Sequence, residues 1–259
     1  MMKRMDFNFF SGNWPFHKVR YNTLQKVSEL HKRVNIEGGI VSSLEAIFYQ
    51  DPYEAEKALA KEIKGTSYMQ AMVLNPMLPG WKYDLERAVS ELSVKAVRLM
   101  PGFHGYRLTD AVMDEVADAL RLYKLPLIIT LRMEDERVTW MFHPKTVDMN
   151  DVIAFLEKND DIVTLVSNIR LHQIAALNDL FEKRYNLFVD TSGLKDSLFT
   201  MELVWQSPAR NHVVYGSLAP IFELQSTSLL VDAADIDPDA KEEIFGGDIF
   251  LALLNAHNE

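Results

Sequence analysis

The chain has 259 residues, 48% hydrophobic and 25% charged, enough to bury one large core, and it contains no cysteine. That absence excludes disulfides, thiolate nucleophiles and metal or iron–sulfur centres held by cysteine. A formal charge of −10 without a Lys/Arg block argues against nucleic acid as a partner, and no apolar run approaches the ~18 residues of a membrane span.

The MMKRM start leads into Asp6 rather than into a signal-type apolar segment, so a cytoplasmic location is expected. Apolar and β-branched runs predict strands over 4–10, 37–43, 68–75, 94–100, 126–132, 162–167, 187–191 and 212–217. Between them, DPYEAEKALAKEI opens with an Asp-Pro start signal, and LTDAVMDEVADALRLY sets Asp110 before apolar residues at helical spacing. TVDMNDVIAFLEKN, LHQIAALNDLFEKRY and DPDAKEEIFGGDIFLALLN read the same way. Eight strand–helix alternations of roughly 30 residues predict a single α/β domain over 1–259, a (β/α)8 barrel of parallel strands with outer helices. No G-x-G-x-x-G follows the first strand, which counts against an open dinucleotide-binding sheet.

In a barrel the strand C-termini and the loops after them form the functional face. TLRMEDER, at the end of the fifth strand, sets Arg132 nearest the mouth, where a planar guanidinium can grip a carboxylate or phosphate, with Glu134 and Asp135 beside it. A solvated salt-bridge network is the other reading of that loop. In KAVRLMPGFHGYR, period-2 alternation sends Val97 and Leu99 to one side and Arg98 to the other, and an arginine in an apolar strand requires a buried partner such as Asp190 or Asp6.

His104 and Tyr106 sit in a Pro-Gly loop at the mouth, where a histidine serves either as a general acid or base or as a loop-fixing hydrogen-bonder. A Ser192–His104–Asp190 triad lacks the G-x-S-x-G elbow. Of the seven histidines, only His17, His104 and His143 lie in loops that reach the mouth, and no H-x-H or H-E-x-x-H spacing occurs. Trp14, Phe16 and Tyr21 offer an apolar wall, as do Trp140 and Phe142, which suit a subunit contact equally.

KAVRLMPGFHGY, LPLIITLRMEDER, NLFVDTSG, VVYGSLAP and EEIFGGDIFLALLN together resemble the amidohydrolase-related family of metal-dependent TIM-barrel hydrolases, across Asp6 to Asn255. In metal-binding members the first strand ends in His-x-His, the fifth and sixth strands each give a His, and the eighth gives an Asp. The resemblance places these positions on Asn8 and Phe10, near Thr130, near Asn168, and on Leu218, so it implies a divergent member without the usual metal ligands.

The expected activity is that of a hydrolase, or a related lyase or decarboxylase, acting on a small anionic substrate. Arg98, Tyr106, Arg132, Asn8 and Asn168 are its candidate binding residues, and His104, Glu134, Asp135 and Asp190 its candidate proton-transfer residues. No cofactor is expected, although a divalent ion held by oxygens of Asp190 and the 134–136 carboxylates stays open. A catalytically silent barrel that binds a small molecule or a protein is the alternative, and a homo-oligomer is compatible with both.

Overall fold

The computed structural model describes residues 3–134, 144–195 and 199–256. Eight parallel strands run in chain order: β1 (Arg4–Ser11), β2 (Ile36–Ser43), β3 (Tyr68–Leu74), β4 (Ala96–Leu99), β5 (Leu127–Thr130), β6 (Thr164–Ser167), β7 (Leu187–Asp190) and β8 (Val213–Val214). Backbone bonds close the ring between the first and last strands: Phe7 N–H donates to Tyr215 O, Leu218 N–H to Asn8 O and Phe10 N–H to Ala219 O, at 2.9, 2.7 and 2.7 Å. The expected (β/α)8 barrel is the observed one, with every strand near its predicted place.

Around it lie α1 (Leu24–Arg33), α2 (Pro52–Ile63), α3 (Trp81–Arg87), α4 (Pro101–His104), α5 (Val112–Tyr123), α6 (Met149–Lys158), α7 (Leu171–Ala175), α8 (Asn178–Phe181), α9 (Thr200–Trp205), α10 (Leu224–Asp232), α11 (Pro238–Gly246) and α12 (Asp248–Ala256). The helix expected over 171–185 is two short ones, α7 and α8. The one expected over 237–255 breaks at Gly247, whose left-handed φ of +57° ends α11 and whose missing Cβ makes room for the Phe7 ring. No helix among the described residues is long and apolar enough to cross a membrane.

Period-2 alternation fills the barrel in layers. Nearest the strand N-termini, Phe7, Ile40, Ala71, Ala96, Ile128, Leu165, Phe188 and Val214 pack together, with Phe250 and Leu254 of α12 stoppering that end. Two residues further along β2, β4, β5, β6 and β7 come Ser42, Arg98, Thr130, Ser167 and Asp190, which with Asn8 of β1, one residue beyond Phe7, make a polar layer whose every member is buried. Beyond it, Phe10, Leu44, Met100, Met133 and Leu218 form an apolar layer capped by Trp14. Val97, Leu99, Leu127 and Ile129 face outward into the larger shell beneath the helices.

A register shift in β1 between Asp6 and Phe9 aims this wall differently from a regular strand. Asp6 turns to α1 while Asn8 faces the axis. Gly216, where β8 passes this layer, leaves the space the layer needs, because a Cβ there would lie 2.8 Å from the Asp190 Cβ and 2.9 Å from the Asn8 Cβ. Gly216→Ala is therefore expected to lower the unfolding free energy by about 3 kcal/mol by prising these side chains apart. Urea melts of the two proteins measure it, and coincident midpoints would refute the close-approach account.

Candidate functional site

Arg98 is the centre of the polar layer. Its Nε donates to Ser42 Oγ at 2.8 Å, and Nη1 donates to Asn8 Oδ1 at 2.8 Å and Thr130 Oγ1 at 2.9 Å. Thr130 in turn meets Ser167 Oγ at 2.9 Å. The side chain is fully buried, and the Phe10 ring lies over the guanidinium with its centroid 4.6 Å from Cζ. Burial pulls the Arg98 pKa down to about 10, against the opposing pull of Asp190, Asp6 and Glu56, so it remains a cation at neutral pH.

Arg98 does not reach a carboxylate directly, contrary to expectation. The Asn8 amide stands between: its Oδ1 accepts from Arg98 while its Nδ2 donates to Asp190 Oδ2 at 2.7 Å. Asp190 Oδ1 accepts from the Asn168 and Ser192 backbone N–H groups and from Ser192 Oγ at 3.1, 3.0 and 2.6 Å. Burial raises the Asp190 pKa, and these donors oppose the rise. Asp190 is thus a sealed acceptor hub, and its expected part in proton transfer or ion binding has no exposed oxygen to work through.

Two further carboxylates are inserted into the barrel wall. Asp6 receives Ser217 Oγ at 2.5 Å and the Ser217 and Asn8 N–H groups at 3.0 and 3.1 Å, and His31 Nε2 of α1 lies 3.1 Å from it. His31 Nδ1 continues to the Tyr68 hydroxyl at 2.9 Å. Glu56 of α2 enters the seam where the β2–β3 ladder ends at Gln70. It accepts the Val73 N–H at 2.9 Å and Gln70 Nε2 at 2.5 Å. Desolvation lifts its pKa to about 7, opposed by those donors and by Arg98.

The accessible polar groups lie at the rim. Arg132, half-buried after β5, donates from Nη1 to Asn168 O at 2.7 Å and from Nη2 to Gln173 Oε1 at 2.8 Å, and Asn168 Nδ2 returns a bond to Arg132 O at 2.8 Å. Asn168 takes a left-handed φ of +53°, which its short amide side chain tolerates. Two residues beyond Arg132, Glu134 Oε1 accepts Trp14 Nε1 at 2.7 Å and lies 3.0 Å from His17 Nε2, whose side chain is 42% exposed.

The structure therefore brings Asn8, Arg98 and Asp190 together in the core and Arg132 and Asn168 together at the rim, the two sets joined by the Asn168 N–H on Asp190. His104 joins neither. Its Nε2 meets Ile47 O at 3.1 Å, and burial pushes its pKa down to about 4, so the ring is neutral at pH 7 and serves the loop-fixing alternative. Tyr106 is buried at 6% exposure in the shell beneath the helices. Asp135, Trp140, Phe142 and His143 lie outside the described residues. A groove of about 880 Å³, lined by Thr23, Lys32, Glu62 and Tyr68 among others, lies by α1 and the strand N-terminal ends, away from this rim.

Sequence reasoning passed over Glu56 and His31 as functional groups, yet both had a signal. Glu56 sits three residues from Tyr53 and from Leu59 on the buried stripe of α2, and His31 four residues from Val27 on that of α1.

Eight parallel strands closed into a ring, with helices outside and a sealed polar layer under an apolar cap within, define the class: a (β/α)8 barrel. No family model and no curated protein matches the chain by sequence. Among solved structures it is similar to a dihydroxybenzoic acid decarboxylase from Polaromonas sp. JS666 with bound manganese and 2-nitroresorcinol, at 12% identity and TM-score 0.75 over 100% of this chain and 98% of that one. It is similar also to 5-carboxyvanillate decarboxylase from Novosphingobium aromaticivorans DSM 12444, complexed with manganese and a nitrobenzoic acid, at 12% identity and TM-score 0.74 over 97% and 96%. A protein of Staphylococcus aureus assigned provisionally to the amidohydrolases gives 11%, 0.73, 98% and 100%. At such identities the likeness is one of fold.

The residues present do not fit the manganese of those neighbours. Where the resemblance places ligands stand Asn8, Phe10, Thr130, Asn168 and Leu218, and among the described residues no three His, Cys, Asp or Glu side chains gather as a metal shell.

Glu56 gives the layer a pH signature. Its folded pKa, about 7, lies above the ordinary 4.5, so between these values the folded chain holds more protons than the unfolded one. This group's contribution is complete below pH 4.5 and declines as pH rises to about 7, by about 3 kcal/mol in all. Glu56→Gln keeps the acceptor for Val73 and lets the Gln70 amide turn, so that Gln70 Oε1, without a partner among the described residues, accepts instead. Denaturant melts across pH 5–8 are expected to show a falling slope in the parent and a flatter one in Glu56→Gln, and equal slopes would refute the assignment.

Proposed function

We propose that the protein is a metal-independent enzyme of the lyase or hydrolase type, acting on a small carboxylate, aromatic by analogy with its decarboxylase neighbours, at the rim of the strand C-termini. The observation that carries this reading is Arg132, a guanidinium held at the end of β5 by Asn168 O and Gln173 Oε1. A guanidinium whose two Nη atoms are already anchored has little rotamer freedom left to lose when a carboxylate binds it. Glu134 and His17, on the same rim, are a carboxylate and an imidazole 3.0 Å apart, able to pass a proton between them. In a decarboxylation the bond from the carboxylate carbon breaks, carbon dioxide leaves, and the His17–Glu134 pair returns a proton to the carbon left behind.

A second reading, a barrel that binds without turnover, is favoured by Phe10 and Leu218, which are fully buried and fill the axial space above Arg98. A panel of hydroxybenzoates, followed by loss of ultraviolet absorbance and by calorimetric binding, separates the two. Under the first reading Arg132→Ala weakens binding at least tenfold, and His17→Ala lowers turnover roughly 100-fold while binding holds. Binding without turnover at any pH would select the silent barrel, and carboxylate binding untouched by Arg132→Ala would remove the rim site.

A further inference from the structure

We infer that the Arg98 guanidinium is a built-in replacement for the divalent ion of related barrels, so that the chain is complete without a metal and its axial cation is supplied by β4 itself. This stands independently of the chemistry proposed at the rim.

The guanidinium touches the positions where the family resemblance puts metal ligands. Nη1 donates to Asn8 on β1 and Thr130 on β5, and Phe10, the second first-strand position, lays its ring face 4.6 Å from Cζ. Leu218, at the eighth-strand carboxylate position, is sealed in the apolar cap above. A transition ion needs unprotonated lone pairs converging on it. Here the oxygens of Asn8 and Thr130 already accept N–H groups from a cation, so a second cation there would meet like charge and engaged donors.

One ion joins strands by accepting from several of them; the guanidinium joins them by donating. Nε reaches β2 through Ser42, and Nη1 reaches β1 and β5, so Arg98 ties three strands to β4. The negative charge that would balance an ion is kept as well. Asp190 lies one amide away through Asn8, and Asp6 and Glu56 also act on Arg98. The exchange converts a site that must be loaded from solution into one present as soon as the chain folds.

The test has a metal arm and a charge arm. Protein purified without a polyhistidine tag is analysed for metal and melted with EDTA, with manganese and with zinc. Well under one ion per chain and a Tm moved by less than about 1 °C are expected, because an ion that bound the folded state would raise Tm. A stoichiometric transition metal, or a Tm several degrees higher with manganese, would overturn the inference.

In the second arm Arg98→Met keeps much of the volume and removes the charge, stranding Asn8 and the buried carboxylates. Its Tm is expected to fall by about 10 °C. An unchanged Tm would mean that Arg98 only fills space and would equally overturn the inference. Should Arg98→Met fail to fold, the metal arm on the parent protein still decides; where Arg98→Met does fold, Arg98→Ala leaves a cavity for a rescue test. Millimolar methylguanidinium is expected to restore part of its lost Tm where manganese does not, and restoration by manganese alone would refute the replacement.

Discussion

A guanidinium in a protein interior loses its hydration, and the rest of this barrel is arranged around making that loss tolerable. Arg98 is fully buried, and its Nε and Nη1 find oxygens on three other strands, while Nη2 has no partner among the described residues. Its nearest hydrogen-bond link to a carboxylate runs through a neutral amide. Asn8 suits that position because one side chain both accepts and donates: its oxygen faces Arg98 and its nitrogen faces Asp190. A hydrophobic residue there would leave both charges stranded, and a carboxylate would pair with Arg98 but repel Asp190.

From this layer the packing follows in both directions. The small residue Gly216 lets Asn8 and Asp190 meet, the register shift in β1 lets Asp6 and Asn8 serve different partners, and Phe10 and Leu218 roof the network against water. Asp6 and Glu56 act as wedges in the wall, one joining the β1–β8 closure to α1 through His31, the other joining the β2–β3 seam to α2. Each exposes backbone N–H groups that the strand ladder leaves unpaired to a carboxylate oxygen, which is how a buried acid and an interrupted ladder satisfy one another.

With the axis occupied, the proposed chemistry lies at the rim. There Asn168 serves two residues through three of its groups: its N–H donates to Asp190, its carbonyl accepts from Arg132, and its amide donates back to the Arg132 carbonyl. The sealed network and the half-buried Arg132 are thereby mechanically linked. The neighbours that act on benzoic acids share this fold with a metal in it, and a shared fold does not carry a shared mechanism when the donors differ.

The sequence by itself determined the barrel: strand periodicity, eight alternations and their spacing are local signals that survive in any register. It also determined that Arg98 leaves the Val97 and Leu99 face, that Phe10 and Leu218 cannot ligate a metal ion and that Asn8 is at best a weak ligand, because residue type alone decides donor chemistry. It left open the breaks at 176–177 and Gly247, which depend on packing against Phe7 and neighbouring elements rather than on helical propensity. Only the tertiary structure decided which polar groups meet. The partner of Arg98 is an amide 90 residues away, Asp190 is consumed by donors from three segments, and His104 is neutralised by burial against Ile47 O. Hydrogen-bond partnership and desolvation are properties of proximity in space, and a linear sequence specifies neither until the barrel has closed.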